Sequence, residues 1–186
     1  MRIVAGKLKG QALRGPSGKA IRPTSDRLRE TIFNILAHAY GDPVQNAAVI
    51  DVFAGTGALG IEALSRGAQS VLFVDDGVEA SLLLHENIST LGLVDLARIV
   101  KRDARRLGRA PAGTRYSLAF LDPPYGKALV EPALAALLEG SWLARGGLVV
   151  VEEAATHILA LPSGLRLRET RRYGDTQMTI ASVETG

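Results

Sequence analysis

The sequence contains no cysteine and only three histidines, His38, His85 and His157. The lack of cysteine excludes disulfides, thiolate metal sites and a cysteine nucleophile. The histidines do not lie at the spacing of metal ligands, so each is interpreted as an ordinary helix or loop residue. We therefore expect no metal site.

Long apolar runs are also lacking. No run reaches the roughly 18 residues that a membrane-spanning helix requires, and the opening Met1-Arg2-Ile3-Val4 lacks the apolar core of a signal peptide. These absences predict a cytoplasmic protein with no membrane partner. The 186 residues, of which 47% are hydrophobic and 22% charged, suit one globular core, and we expect a monomer.

Positive charge is concentrated near the amino terminus. Residues 1–38 hold eight Lys and Arg and two acidic residues, a net charge of +6, whereas the remaining residues carry a net charge of −3. A basic arm on a nearly neutral body is typical of a protein that contacts a phosphate backbone. A solvated basic face is the alternative that this feature alone leaves open.

The basic arm is predicted to begin with a short hairpin. Residues 2–4 and 11–13 would pair, with Lys7 and Lys9 at the tip between Gly6 and Gly10. Lysines at an exposed tip can meet phosphate at little desolvation cost, so this hairpin is the predicted first contact with nucleic acid.

A helix is predicted to follow, from residue 26 to about residue 40. Ser25 suits its N-cap, and apolar residues recur along one side at helical spacing. This pattern leaves Arg27, Arg29 and Glu30 facing water or a ligand.

A glycine-rich loop follows the first predicted strand, residues 47–52. Gly55, Gly57 and Gly60 have the G-x-G-x-x-G spacing of a dinucleotide-binding loop, a weak signal by itself. Such glycines let the backbone approach a ligand closely. Asp51, just before the loop, would repel a pyrophosphate but could meet the ammonium of a methionine moiety, which favours S-adenosylmethionine over a nicotinamide or flavin dinucleotide.

Acidic residues follow two further predicted strands. Asp75 ends the strand at residues 70–74 and can accept hydrogen bonds from both hydroxyls of a ribose, a role that Asp76 could share or take over. Asp103 follows the strand at residues 97–101. There it either accepts from an adenine amino group or caps the next short helix, and both interpretations stay open.

The fourth predicted strand, residues 116–121, leads into Asp122-Pro123-Pro124-Tyr125, the DPPY corner. Each proline fixes its own φ and restricts the residue before it, so the corner is stiff. The Asp122 carboxylate and the Pro123 carbonyl can hold the two hydrogens of an exocyclic amine, which frees the nitrogen lone pair to attack an electrophile, while Tyr125 stacks on the base. Taken alone, the four residues could equally be a tight turn capped by an acid.

The rest of the chain predicts the fold class. Helices are expected at residues 61–66, 78–91 and 127–138, a turn at 145–147, a strand at 148–151, and an antiparallel hairpin at 165–183. We therefore predict an α/β, Rossmann-like fold with a mostly parallel seven-stranded sheet, helices on both faces and a C-terminal antiparallel hairpin. The acids, the glycine loop and the DPPY corner all fall at the carboxyl ends of strands, where such sheets bind ligands.

The residues at 51–60, with residues 62–68 behind them, resemble the cofactor loop and first helix of the RsmD family. These are bacterial 16S rRNA guanine-N2 methyltransferases of the class I fold. Residues 22–34 are similar to that family's amino-terminal signature, and residues 2–7 to its first hairpin. With the DPPY corner, the resemblance covers nearly the whole chain. One departure is Asp75, where the family often has glutamate.

The resemblance implies methyl transfer from S-adenosylmethionine to the N2 amine of a guanine in 16S rRNA, with free rRNA or a partly assembled 30S subunit as the partner. It also implies an RNA-contacting hairpin at residues 1–20 and a methyltransferase domain at residues 21–186. The expected cofactor residues are Arg22, Thr24, Asp51, Phe53, Ala54, Gly55, Thr56, Gly57, Asp75, Asp76, Asp103 and Ala104. The expected catalytic residues are Asp122, Pro123, Pro124 and Tyr125, and the expected RNA contacts are Arg2, Lys7, Lys9, Arg14, Lys19 and Arg27.

Three alternatives remain at this point. A DNA adenine-N6 methyltransferase would use the same DPPY corner, although the chain has no room for a sizeable target-recognition domain. A non-catalytic rRNA-binding assembly factor would leave the acids without a function. A nicotinamide-dependent oxidoreductase fits the glycine spacing but leaves the DPPY corner without one.

Overall fold

Helices and strands alternate along most of the chain in the computed structural model, which describes residues 1–16 and 25–185. The helices are α1 (Asp26–Ala39), α2 (Ala58–Ser65), α3 (Val78–Thr90) and α4 (Val130–Glu139), with a single 3-10 turn at Ala104–Arg106. The strands are β1 (Ala48–Val52), β2 (Ser70–Asp75), β3 (Ala97–Lys101), β4 (Tyr116–Leu121), β5 (Leu143–Ala154), β6 (Leu165–Tyr173) and β7 (Thr176–Val183).

The seven strands form one sheet in the order β3-β2-β1-β4-β5-β7-β6. Strands β1 to β5 run parallel to one another, and β7 runs antiparallel between β5 and β6. The direction of strand addition reverses between β1 and β4, which makes that crevice the switch point at which α/β sheets bind ligands. The predicted α/β fold with its C-terminal hairpin is confirmed.

Helices cover both faces of the sheet. Apolar residues of α1, α2 and α3 share one core cluster with alternate strand residues such as Val49, and α4 packs on the other face in a second cluster that includes Ile50. On the first face the ring of Phe33 lies 5.4 Å from that of Phe120. A parallel sheet covered on both sides explains why the central strands are apolar throughout.

Helix α2 begins three residues earlier than the sequence predicts, and two further differences from the prediction have a cause in the local backbone. The turn expected at residues 145–147 is an irregularity inside β5, because Tyr116 already pairs with Leu143 and the register shifts before Leu118. Gly146, with φ of 72°, supplies the left-handed conformation that this bulge uses. Helix α4 begins at residue 130 rather than 127, since the backbone at Ala128 has a φ of 51° and cannot be helical.

The amino-terminal hairpin is present and is built into the core. Arg2 and Ala12 form an antiparallel bridge, and Ile3 and Leu13 are buried in the same cluster as α1. At Gly6 a β-carbon would lie 1.9 Å from the carbonyl oxygen of Ser65 in α2, so only glycine fits this close contact. The predicted boundary between the hairpin and the methyltransferase domain lies outside the described residues, and that division stays a prediction.

A buried ion cluster joins the hairpin to α1 and α2. Glu62 is fully buried and accepts backbone hydrogen bonds from Val4 at 2.8 Å and Ala5 at 3.0 Å. Its carboxylate also lies 2.8 Å from Arg66 Nε and 3.5 Å from Arg29 Nε. The prediction that Arg29 faces water or a ligand is therefore wrong, because Glu62 and Asp26, whose Oδ1 lies 2.8 Å from Arg29 Nη2, supply the charge that lets this guanidinium be completely buried.

Within residues 1–16 and 25–185, no helix combines the length and the apolar composition needed to cross a membrane. The same residues contain no group of three or more His, Asp or Glu side chains placed to hold a metal ion.

Candidate active site

A cavity of about 1080 Å³ lies where β1, β2, β3 and β4 end. The loops after these strands line it, together with the first turns of α1. It brings together most of the residues predicted from the sequence: Arg27, Asp51, Phe53, Ala54, Gly55, Thr56, Asp75, Asp76, Asp103, Ala104, Asp122, Pro123, Pro124 and Tyr125. The glycine loop and the DPPY corner therefore face one shared space at the switch point of the sheet.

The loop after β1 has an unusual backbone. Phe53 has a φ of 60° and Gly55 a φ of 54°, so two residues within three positions adopt the left-handed conformation. This conformation costs a phenylalanine about 1–2 kcal/mol. Two hydrogen bonds to β2 hold the loop in place, from the Ala54 amide to the Val74 carbonyl at 3.1 Å and from the Gly55 amide to Asp75 Oδ2 at 2.9 Å. Strain of this kind is typical of functional sites.

The other two glycines of the loop serve packing. A β-carbon at Gly57 would lie 2.8 Å from Leu84 Cδ2, and one at Gly60 would lie 2.4 Å from Phe73 Cε1. Both glycines therefore let α2 approach β2 and α3 closely, which is one of the roles of the G-x-G-x-x-G spacing. Gly57 is a residue that the sequence predicts to contact the cofactor, and its α-carbon faces this core.

Asp51 lies at the floor of the cavity and is 1% exposed. Its Oδ2 accepts a hydrogen bond from the Gly60 amide at 2.8 Å. Burial, and to a smaller extent the nearby Asp75, raise the pKa of the Asp51 carboxyl to about 8, although the Gly60 hydrogen bond opposes this shift. At pH 7 the carboxyl is therefore mostly protonated, and a cation in the cavity would favour its ionised form.

Asp75 is oriented by two backbone hydrogen bonds. Its Oδ2 accepts from the Gly55 amide, and its Oδ1 accepts from the Gly77 amide at 2.8 Å. Each carboxylate oxygen has a second lone pair, so both can still accept from a ligand hydroxyl. Asp76 is exposed at the cavity rim. Of the two acids, Asp75 has the fixed geometry that binding a pair of hydroxyls requires.

Asp103 caps the 3-10 turn, as one of its two interpretations predicted. Its Oδ1 accepts from the Arg105 amide at 2.9 Å, and its Oδ2 pairs with the Arg105 guanidinium at 2.8 Å. The Arg105 side chain holds the pKa of the Asp103 carboxyl below its usual value. The same residue lines the cavity beside the buried Ala104, so capping and ligand binding are compatible at this position.

The DPPY corner is fastened to neighbouring strands at both ends. The Asp122 amide donates to the Val52 carbonyl at 3.4 Å, next to the glycine loop. The Tyr125 hydroxyl donates to Glu152 Oε1 at 2.7 Å and lies 2.9 Å from Thr176 Oγ1. Burial raises the pKa of the Tyr125 hydroxyl, which therefore stays protonated at neutral pH. The ring is held as a fixed wall of the cavity.

Several cavity residues were not predicted. Glu152 and Thr176 come from β5 and β7, and they were missed because the sequence does not show which strands end beside β4. Hydrophobic and polar side chains from other elements also line the cavity, among them Leu28, Thr31, Val78, Arg102, Leu129 and Tyr173. Leu28 and Thr31 could have been predicted to line the cavity from their position in the first turns of α1, beside the predicted residue Arg27.

The predicted RNA contacts divide into two groups. Arg27 lines the cavity, whereas Arg2, Lys7, Lys9 and Arg14 are exposed on or beside the hairpin. Arg14 pairs with Glu86 at 2.9 Å, and Arg2 donates to the Gly10 carbonyl at 3.0 Å. The predicted RNA contact Lys19 and the predicted cofactor residues Arg22 and Thr24 lie outside the described residues.

Comparison with known proteins supplies a family. The family described as "Conserved hypothetical protein 95" matches residues 1–182. The chain is 36% identical over 185 residues to the ribosomal RNA small subunit methyltransferase D of Escherichia coli K12, covering 99% of this chain and 90% of that protein. It is 32% identical over 176 residues to the protein of the same name from Haemophilus influenzae, covering 94% and 89% of the two chains.

A solved structure agrees with these relatives. The Escherichia coli protein yhhF superimposes with a TM-score of 0.85 at 34% identity, covering 100% of this chain and 99% of that chain. The match therefore extends over the whole sheet, the hairpin and the loops that line the cavity. The chain belongs to the RsmD family, the family described as "Conserved hypothetical protein 95".

Proposed function

We propose that this protein transfers a methyl group from S-adenosylmethionine to the exocyclic N2 amine of a guanine in 16S rRNA. The observation that carries the proposal is the single cavity shared by the glycine loop, the three acids at positions 51, 75 and 103, and the DPPY corner. The relatives named as ribosomal RNA small subunit methyltransferases support rRNA as the substrate class.

The residues on the glycine-loop side fit S-adenosylmethionine. Asp75 presents two backbone-fixed oxygens suited to the ribose hydroxyls, and Asp103 stands beside the apolar Ala104, where an adenine ring and its amino group could lie. An ammonium group would favour the ionised form of Asp51 beneath the loop, and that carboxylate would oppose a pyrophosphate. The three acids thus favour a cationic, phosphate-free ligand over a dinucleotide.

The DPPY corner fits the base. The Asp122 carboxylate and the Pro123 carbonyl would accept the two hydrogens of the guanine amine, and the fixed Tyr125 ring would stack on the base plane. The guanine must first leave its stack to enter the cavity, as in other enzymes that act on a base edge. These contacts orient the nitrogen lone pair towards the glycine-loop side of the cavity.

The reaction is a displacement in one step. S-adenosylmethionine supplies a methyl group on a sulfonium, whose sulfur leaves as a neutral thioether while the nitrogen–carbon bond forms. Asp122 offsets the positive charge that develops on the guanine nitrogen, which then loses one proton to Asp122 or to water. One chain supplies all of these groups, so we propose that the protein acts as a monomer and without a metal.

The test is an Asp122→Asn protein, which keeps the shape of the side chain and removes its charge. We expect methylation of undermethylated 30S subunits or of free 16S rRNA to fall by about 100-fold or more in kcat, the usual loss when one charge-stabilising group is removed. Binding of S-adenosylhomocysteine, measured by calorimetry, should be unchanged. Asp95→Asn, at an exposed position outside the cavity lining, is the matched control.

Mass analysis of the product nucleosides identifies the base. N2-methylguanosine from rRNA supports the proposal, whereas N6-methyladenosine from DNA supports the alternative methyltransferase. Near-normal methylation by Asp122→Asn would refute the role of the DPPY corner. Thermal stabilisation by NAD and not by S-adenosylhomocysteine would refute the cofactor.

A further inference from the structure

Strand β6 is an edge of the sheet and is unusually basic. It holds Arg166, Arg168, Arg171 and Arg172 against a single acid, Glu169, within nine residues. All four arginines are exposed. Charged side chains on an edge strand can simply prevent pairing with another chain. Their position relative to the cavity indicates a more specific role.

Two of the arginines, Arg166 and Arg171, share the face of the sheet that α1 covers. Arg171 pairs with Met178 and Glu169 pairs with Ile180, and both β7 residues belong to the core cluster beneath α1. Directly paired residues in an antiparallel sheet project on the same side. Arg166 pairs with Ser182, two residues beyond Ile180, and so projects on this side as well.

The C-terminal end of α1 lies against the arginines of β6. The Tyr40 hydroxyl donates to Glu169 Oε1 at 2.7 Å. Burial and the hydrogen bond to Glu169 raise the pKa of the Tyr40 hydroxyl to about 12, whereas the charges of Arg168 and Arg171 act against this shift. Glu169 joins Tyr40 to Arg171, because one of its carboxylate oxygens accepts from the Tyr40 hydroxyl and the other pairs with Arg171 Nε. Tyr40, Arg166 and Arg168 also line a cleft of about 530 Å³, and among the described residues that line it Glu184 is the one acid.

The strand that carries these arginines ends at the candidate active site. Tyr173 follows Arg171 on the same face, packs against the core beneath α1 and lines the cavity beside Thr176. From residue 166 to residue 173, β6 spans about 23 Å at the usual rise of a strand. A polynucleotide lying along this face would thus reach the cavity mouth within a few nucleotides.

Two of these charges have no acidic partner. Among the described residues, Arg166 and Arg168 take part in no ion pair, and Arg171 pairs with Glu169. An unpaired, exposed guanidinium can bind a phosphate through two parallel hydrogen bonds without first losing a partner. The charge and geometry of the row complement a phosphate backbone.

We propose that Arg166, Arg168 and Arg171, together the arginine row, bind the backbone phosphates of the RNA strand whose target base enters the cavity past Tyr173. The inference rests on the proposed function and extends it, because it identifies a second RNA surface besides the amino-terminal hairpin. The row would fix the direction in which the strand crosses the cavity mouth, with the target base placed opposite the DPPY corner.

The experiment compares matched pairs of charge removals in the full chain. Arg166→Gln/Arg168→Gln removes two charges from the row, and Arg98→Gln/Arg115→Gln removes two exposed charges on β3 and just before β4. Binding to a 16S rRNA fragment is measured from 0.1 M to 1 M salt. For a single strand, two phosphate contacts contribute a slope of about −1.4 in log affinity against log salt, or about 25-fold at 0.1 M relative to 1 M.

We expect the Arg166→Gln/Arg168→Gln protein to lose about 25-fold in affinity at 0.1 M salt and its salt slope to become shallower by about 1.4. The Arg98→Gln/Arg115→Gln protein should bind as the wild type does. Arg166→Lys/Arg168→Lys keeps both charges and should retain the slope, which separates lost charge from lost structure. Unchanged binding of S-adenosylhomocysteine reports that each variant is folded.

The outcomes separate this inference from the function it rests on. If the wild type methylates rRNA and the Arg166→Gln/Arg168→Gln protein binds rRNA with unchanged affinity and slope, the arginine row is refuted and the proposed function stands. Equal losses in both Gln pairs would also refute it, because the effect would then be one of general charge. A wild-type protein that neither binds nor methylates rRNA would refute the proposed function, and the arginine row with it.

Discussion

Replacing Asp51 with asparagine tests whether the carboxyl beneath the glycine loop is neutral in the free protein. The substitution keeps the side-chain shape and an oxygen that can accept from the Gly60 amide, the bond that Asp51 Oδ2 makes at 2.8 Å. It removes the ability to ionise. The variant therefore isolates the free energy associated with charging a carboxyl that is 1% exposed.

The magnitude follows from the shift in the pKa of Asp51. The pKa is about 8 in the folded protein against a reference value of 3.8, so the folded protein retains a proton that the unfolded chain releases between these values. Stability contributed by the protonated carboxyl is complete below pH 4 and is lost as the pH rises towards 8. The loss is about 1.4 kcal/mol per pH unit, or about 4 kcal/mol between pH 5 and pH 8.

The assay is urea unfolding of the wild type and the Asp51→Asn protein at pH 5, 6, 7 and 8. We expect the variant's free energy of unfolding to rise relative to that of the wild type by about 4 kcal/mol across this range. Asp95→Asn, at an exposed position, controls for removal of a surface carboxylate. A difference between Asp51→Asn and wild type that stays constant from pH 5 to pH 8 would refute the buried neutral carboxyl.

Three further substitutions test the packing and the site. Glu62→Gln should lower the free energy of unfolding by about 3–5 kcal/mol, because it removes the buried carboxylate that pairs with both Arg66 and the fully buried Arg29; a melting temperature within a degree or two of wild type would contradict this. Gly60→Ala should cost about 1–3 kcal/mol in urea unfolding, since the added carbon would lie 2.4 Å from Phe73 Cε1. Gly15→Ala, where an added carbon meets no described atom within 4 Å, is its control. Tyr125→Phe removes the hydrogen bond to Glu152 and should lower kcat for rRNA methylation by about 10-fold, the equivalent of one hydrogen bond. The affinity for S-adenosylhomocysteine should be unchanged. Full activity would show that the ring does not need this hydrogen bond to stay in position.

The sheet and the location of the cavity could be predicted because each rests on a local pattern. Apolar runs of strand length alternate with helical periodicity, and this alternation predicts parallel strands whose carboxyl ends share one edge. Asp75 and Asp103 each lie at the carboxyl end of such a run, so the alternation alone predicts that both line the same cavity. The DPPY corner was placed by the same reasoning after β4.

The buried charges could not be predicted, because burial of a charge depends on a partner from elsewhere in the chain. Arg29 occupies a polar position in the pattern of α1, and only the fold brings Glu62 against it. Gly57 shows the converse difficulty. The glycine spacing that lets a ligand approach is the same spacing that lets α2 approach β2, and only the surroundings of each α-carbon separate the two roles.

The arginine row was not predicted, because the charge was summed over the whole of residues 39–186. Residues 39–186 carry a net charge of −3, and this sum conceals four arginines within a single strand. Alternation along β6 did predict a half-exposed strand, but the sequence could not show that β6 is an edge, or that its basic face continues into the cavity through Tyr173. Both facts depend on the pairing of β7 between β5 and β6.

The position of the hairpin determines how its predicted RNA contacts must be tested. Deleting it would remove Ile3 from the core and take two backbone donors away from the buried Glu62 carboxylate, so loss of RNA binding would follow from unfolding alone. Lys7→Gln/Lys9→Gln changes only exposed tips. The hairpin and the arginine row are tested together by combining Lys7→Gln/Lys9→Gln with Arg166→Gln/Arg168→Gln. If the two surfaces hold different stretches of the same RNA, the losses in binding free energy from the two double substitutions should add. A combined loss no greater than the larger of the two would mean that only one of the surfaces contacts the RNA.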